Sequence, residues 1–207
     1  MHPNPIFRRP GVERNLTFAR HRAFGLLSVN GPEGPLLAHV PFLLDADGAS
    51  ADLHLVRSNP ILHALDQPQA AVIVITGPDS YISPDWYEVA DQVPTWNYVA
   101  VHLRGQLGKL PPEAMRDMLD RQSAHFEDQL TPKPPWTTHK MTPEVLDRMM
   151  RQIVPCRLTV TGIDGTWKLN QNKPDEVRLR AADKVAEDGM GSERATLAIL
   201  MRTPPQD

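Results

Sequence analysis

The order of turn signals in the first half of the chain allows few folds. Phe24-Gly25-Leu26-Leu27-Ser28-Val29 reads as a strand, Asn30-Gly31-Pro32-Glu33-Gly34 turns it back, and residues 36–44 return as its hairpin partner. Asp45-Ala46-Asp47-Gly48 ends that strand, and Asp52-Leu53-His54-Leu55-Val56 supplies a third. Only then does a helix start, at Ser58-Asn59-Pro60, where capping side chains precede a proline and Ile61, Leu62 and Leu65 give an apolar stripe. Residues 70–76 return as a buried strand, and residues 98–110 form another, with Gly105 and Gly108 at bulge or bend positions. Hairpin-linked strands with one inserted helix predict a small antiparallel barrel flanked by helices, and they lack the alternation of a doubly wound βαβ sheet.

Beyond Pro111-Pro112 the apolar period changes from two to about 3.6, placing Met115, Met118, Leu119 and Phe126 on one helical side. Leu130-Thr131-Pro132-Lys133-Pro134-Pro135-Trp136 interrupts it, because proline fixes φ and removes the amide donor. A second helix follows from Pro143 to about Gln152. Residues 156–163 alternate as a closing strand, Asp164-Gly165 reads as a turn, and residues 176–187 and 192–202 read as helices. The expectation is one α+β domain over residues 1–207, with a helical insertion over about 111–152 and a helical C-terminal extension over about 174–203.

Composition narrows the function classes. The longest apolar run, residues 70–75, is far below the ~18–20 residues that span a bilayer, and Met1-His2-Pro3-Asn4-Pro5 has no signal-peptide pattern, so the reading is a cytoplasmic protein. The single Cys156 excludes an internal disulfide and a thiolate zinc cage. A net charge of -3 gives no general attraction to DNA or an anionic membrane. The glycine-rich nucleotide loops, the serine-hydrolase elbow and the paired-histidine zinc motif are all absent.

Residues 78–101 concentrate polar-tipped aromatics, Tyr81, Trp86, Tyr87 and Trp96 with Tyr98 beside them, among prolines and hydroxyl residues. Such rings suit a barrel end, a dimer seam or a planar ligand. The three strand histidines, His39, His54 and His102, form no paired-ligand spacing, though a haem needs only one proximal imidazole. Of these, His102 is the candidate general acid or base.

Three stretches in this order, Gly77-Pro78-Asp79-Ser80-Tyr81-Ile82-Ser83-Pro84-Asp85-Trp86-Tyr87, Val93-Pro94-Thr95-Trp96-Asn97-Tyr98 and Trp167-Lys168-Leu169-Asn170-Gln171-Asn172, make the chain resemble the PaiB family. That family is described as FMN-binding negative transcriptional regulators related to the pyridoxamine-phosphate-oxidase split barrels. The resemblance implies a mostly antiparallel FMN-binding split barrel, a homodimer with its ligand in the interface, and FMN as cofactor with haem as the alternative. It places the FMN phosphate at Arg57, Ser58 and Asn59, where a helix start would aim free amides at the anion. It adds Trp96, Lys168, Asn170 and Gln171 as further cofactor-binding residues, the amides suited to reading the edge of a flavin or of a substrate. Two functions stay open: a flavin-dependent oxidoreductase acting on a small molecule, and a repressor acting directly or indirectly on DNA. The basic clusters Arg8-Arg9, Arg20-His21-Arg22 and residues 178–180 are small, and no helix-turn-helix is visible.

Overall fold

The structure, a computed structural model, describes residues 2–206. Six strands close a ring in the order β1 (Phe24–Gly31), β2 (Gly34–Leu44), β3 (Ser50–Val56), β6 (Ile153–Lys168), β5 (Thr95–Lys109), β4 (Gln69–Ile82). β4 pairs back onto β1, and the β1–β2, β1–β4, β2–β3 and β3–β6 pairings are antiparallel. This is the small antiparallel barrel that the strand order predicts and the α+β split barrel that the family resemblance implies, and closure leaves few strand edges for foreign chains to pair with. The hairpin falls where the turn residues put it, with Gly31 opposite Gly34 across Pro32-Glu33.

The chain groups into two compact units, each with its own core. The first comprises Ala19–Val74 and Leu103–Gly162. It holds β1 to β3, the helix α2 (Ile61–Ala64), and the helices α3 (Ala114–Glu127) and α4 (Pro143–Met150). Leu27, Phe42, Leu53, Ile73, Leu103 and Leu158 are fully buried there, each at an inward position of its strand. Fully burying such a side chain is worth roughly 1.5–3 kcal/mol, so these strands are held by their alternation more than by local propensity. Cys156 lies in this unit, buried, its thiol pushed up to about 11 by desolvation despite nearby Lys109.

The second unit comprises the chain up to Phe18, Ile75–His102, and the chain from Ile163 onward. It contains most of the helix α1 (Val12–Arg22), a 3-10 turn at Pro84–Tyr87, and the helices α5 (Asp175–Asp188) and α6 (Arg194–Arg202). Val177, Ala181 and Val185 of α5 and Leu197, Ala198 and Met201 of α6 are buried with Ile82, Tyr87 and Trp167 in one cluster.

Three expectations are corrected. The helix after Pro60 is one turn, not a full amphipathic helix, and Leu65 already lies beyond it. The fourth strand does not stop at Thr76: it runs to Ile82 because the amides of Asp79 and Tyr81 find the carbonyls of Ser192 and Met190. The first part of the aromatic segment is therefore strand. Asp164-Gly165 is no turn, since β6 passes straight through it. A Cβ on Gly165 would lie 2.1 Å from Asn15 Oδ1, so glycine is needed there for close approach of α1. Gly105 serves the same purpose, its missing Cβ leaving room for the Thr159 carbonyl, 1.9 Å from where that atom would be. Among the described residues no helix is long and apolar enough to cross a membrane.

Candidate functional site

In the first unit, Arg57 follows the last residue of β3, and its backbone amide donates to the Gln152 carbonyl at 2.7 Å. Its Nε donates to the Arg151 carbonyl at 2.9 Å. That single bond orients the guanidinium while its two terminal nitrogens have no hydrogen-bond partner among the described residues. The fork borders a cavity of about 370 Å3 walled largely by apolar groups such as Leu110, Met115, Met150 and Val154, with Arg116 and the carboxylates of Glu113 and Asp147 also lining it. A volume in the ~300–1,000 Å3 range, apolar walls and a free planar cation are what a phosphate-bearing organic ligand requires. Ser58 is exposed, and Asn59 Oδ1 is engaged, accepting from the Ile61 amide at 3.0 Å. With α2 only one turn long, Arg57 rather than a helix dipole carries the charge of this corner.

The same unit contains a second cationic group that sequence reading did not identify. Asp52, buried on β3, accepts from Arg157 Nε and Nη2 at 2.6 and 3.0 Å and from Arg121 Nη2 at 2.9 Å. Arg121 also donates to Asp117 at 2.7 Å. Burial alone would raise the Asp52 carboxyl, but the two guanidiniums more than offset that and hold it below its ordinary value. Every charge here is answered. Two residues along β3, His54 Nδ1 lies 3.1 Å from Gln122 Oε1, and burial lowers the imidazole's affinity for a proton, which suits a neutral packed histidine.

In the second unit, the turn after β6 gathers a different set. Lys168 ends the strand, its Nζ donating to Thr95 Oγ1 at 2.5 Å, and it lies 5.9 Å from the centre of the Phe7 ring. Lys173 donates to Gln92 Oε1 and sits 4.9 Å over the Tyr87 ring. Between them Asn170, in the left-handed region at φ 61°, is 2 % exposed. Its Oδ1 accepts from the Tyr87 hydroxyl at 3.3 Å, and its buried Nδ2 has no hydrogen-bond partner among the described residues. Gln171 faces inward to the turn: its Oε1 accepts from the Leu169 amide and its Nε2 donates to the Trp167 and Ile6 carbonyls.

β5 sorts the remaining candidates by parity. Asn97, Val99 and Val101 are buried, whereas Trp96, Tyr98, Ala100 and His102 take the alternate, more exposed face. Trp96 is 47 % exposed and meets Tyr81 edge-on at 6.2 Å. Trp96 and His102 therefore share one face, and Asn97, five residues before His102, lies on the other. Of the other strand histidines, His39 is exposed and stacks with Phe24 at 6.2 Å. One arginine of each of two basic clusters is engaged internally: Arg20 donates to the Asp45 and Ala46 carbonyls, and Arg178, buried, donates to the Met201 and Arg202 carbonyls and to Asp175. The candidates thus fall into two groups, Arg57, Ser58 and Asn59 in one unit and Trp96, His102, Lys168, Asn170 and Gln171 in the other.

A six-stranded antiparallel sheet closed into a ring and flanked by helices is the split-barrel architecture. Two solved structures share the architecture: the FAD and haem binding protein from Mycobacterium smegmatis, with a TM-score of 0.58 and 14% identity over 89% of this chain and 82% of that one, and the flavocytochrome Anf3 from Azotobacter vinelandii, with a TM-score of 0.58 and 11% identity over 81% of this chain and 72% of that one. The chain belongs to the family described as "Putative FMN-binding domain", which matches residues 1–162. Its curated relatives include the protease synthase and sporulation protein PAI 2 of Bacillus subtilis (strain 168), 27% identical over 188 residues that make up 88% of this chain and 87% of that protein.

Proposed function

We propose that this protein is a cytoplasmic FMN-binding split-barrel homodimer that transfers electrons or hydride to a small molecule. The observation that carries the proposal is the Arg57 fork, fixed through Nε and open at its terminal nitrogens beside a largely apolar cavity. Arg57 would hold the phosphate by charge-assisted hydrogen bonds, with the exposed Ser58 hydroxyl as a further donor. A bound flavin supplies the redox chemistry, and the protein supplies position and a water-poor wall. Family membership and fold support this reading. The exposed face of β5, with Trp96 and Tyr98, supports the homodimer, since large half-exposed aromatics favour subunit contacts. Any effect on gene expression then runs through the small molecule rather than through DNA contact, in keeping with the internal engagement of Arg20 and Arg178.

The test is an absorbance titration of the purified protein with FMN, alongside its mass in solution. A shifted flavin band on a dimer is expected, and Arg57→Ala should weaken FMN binding about 10- to 100-fold, the loss of roughly 1.5–3 kcal/mol of charged hydrogen bonding, with the dimer intact. Unchanged affinity in that variant removes Arg57 from the site. A Soret band in place of flavin absorbance replaces FMN by haem and shifts attention to the strand histidines.

A further inference from the structure

We infer that the turn after β6 builds a second binding site, one that takes a compact oxyanion such as the carboxylate or phosphate group of a small metabolite. The cavity bounded by Lys168, Lys173, Asn170, Thr95, Tyr87 and His2 has a volume of about 210 Å3. That is below the ~300–1,000 Å3 of sites for cofactor-sized ligands, so it suits a small acid better than an isoalloxazine ring with its ribityl chain.

The donor set selects the charge. Both lysines reach into the cavity, no carboxylate lines it, and neither lysine has an acidic partner among the described residues. Their only hydrogen-bond partners are a neutral hydroxyl and a neutral amide. Burial disfavours the charged form of Lys168, and with no acid beside it that cost stands until an anion arrives. Asn170 adds the second, independent observation: it lines the cavity with its side chain buried, its oxygen is committed to the Tyr87 hydroxyl, and its Nδ2 is left as an unused donor. A buried donor without an acceptor costs about 1–3 kcal/mol, which an oxyanion at this point would recover. The left-handed φ of Asn170 sets that donor in place, since asparagine is among the few non-glycine side chains that accept this conformation readily. The walls also orient the cations: Phe7 lies below Lys168 and Tyr87 below Lys173, so each ammonium stays near an aromatic face until a stronger partner binds.

Calorimetric titration of the whole protein with inorganic phosphate, succinate and acetate, in a chloride buffer, tests this. Saturable binding at millimolar or lower concentration is expected for phosphate or succinate, and the tighter of the two identifies a phosphate-bearing or a dicarboxylate ligand. Lys168→Met should weaken that binding at least about tenfold, the loss of one charge-assisted contact. Asn170→Asp is the second variant: it keeps the size, the left-handed backbone and the acceptor for Tyr87 while replacing the free donor by a carboxylate, and it should abolish binding. Absence of saturation by all three anions overturns the inference, as does unchanged affinity in both variants. FMN titrations of the same variants separate this site from the flavin proposal. Unchanged FMN affinity in Lys168→Met and Asn170→Asp supports a distinct anion site, whereas parallel loss of FMN and anion binding overturns it by returning the pocket to the flavin. If the unaltered protein binds anion but no flavin, the cofactor proposal fails and the anion site stands.

Discussion

Asp52 with Arg157 and Arg121, and Lys168 with Lys173, are both clusters of cations around a hydrogen-bonding centre, yet they are built on opposite principles. In the first, a buried carboxylate collects two guanidiniums, and each positive charge has an acid within 3 Å. In the second, two ammonium groups meet only neutral oxygens and aromatic faces. A cluster that closes its own charge balance contributes to folding. One that leaves it open gives up stability and keeps affinity for something else.

Removing the centre of each cluster should expose the contrast. The largest effect is expected for Asp52→Asn, which strands two arginines: a loss of about 2–3 kcal/mol in urea unfolding, below the ~3–5 of a fully buried pair because the guanidiniums are nearly half exposed. The pH dependence has a definite sign. The folded Asp52 holds its proton less tightly than an unfolded aspartate near ~3.9, so its contribution is full above that value and is lost as pH falls through the lower folded one. The gap between wild type and Asp52→Asn should therefore shrink on acidification below about pH 4. A gap that stays constant would mean that packing, not charge, sets the loss.

Tyr87→Phe should have an intermediate effect. It deletes the hydroxyl that holds Asn170 Oδ1 and leaves that oxygen unpaired, at a cost of about 1–2 kcal/mol in thermal unfolding, with a several-fold drop in phosphate affinity. The smallest effect on stability is expected from Lys168→Met, within about 0.5 kcal/mol of wild type at neutral pH, because removing an unanswered, partly buried charge also removes its desolvation cost. Burial lowers the folded pKa of Lys168, so the unfolded chain binds the extra proton. Wild type should then gain stability relative to Lys168→Met as pH rises from that lowered value toward the ordinary lysine value near ~10.4. Loss of more than about 1 kcal/mol at pH 7 in Lys168→Met would erase the distinction between the two clusters.

What the sequence made legible was what neighbouring residues decide. The hairpin at Asn30 to Gly34 and the helix that follows Pro111-Pro112 depend on local turn chemistry and periodicity, and both lie where expected. The passage of β6 through Asp164-Gly165 depends on Asn15, about 150 positions earlier, and no local signal separates a glycine required for close packing from one required for a turn. The length of β4 likewise depends on carbonyls at Met190 and Ser192. At the site, Arg57 and Lys168 were visible as charges needing partners. Lys173 was missed although it stands five residues after Lys168 across an Asn-Gln-Asn turn, a spacing that a search for cations flanking a turn would have found. Asp52 was missed because its partners come from α3 and β6, and one acidic residue in an alternating strand looks like an ordinary solvent-facing position.

Cys156 has a practical consequence for following these clusters in solution. With its sulfur enclosed and almost wholly un-ionised at neutral pH, it is a poor nucleophile toward maleimides and iodoacetamide. A thiol introduced at Trp96 or beside Lys173 would be the sole reactive handle in the chain. Fluorophores or spin labels could thus be attached at one chosen point without first deleting the native residue.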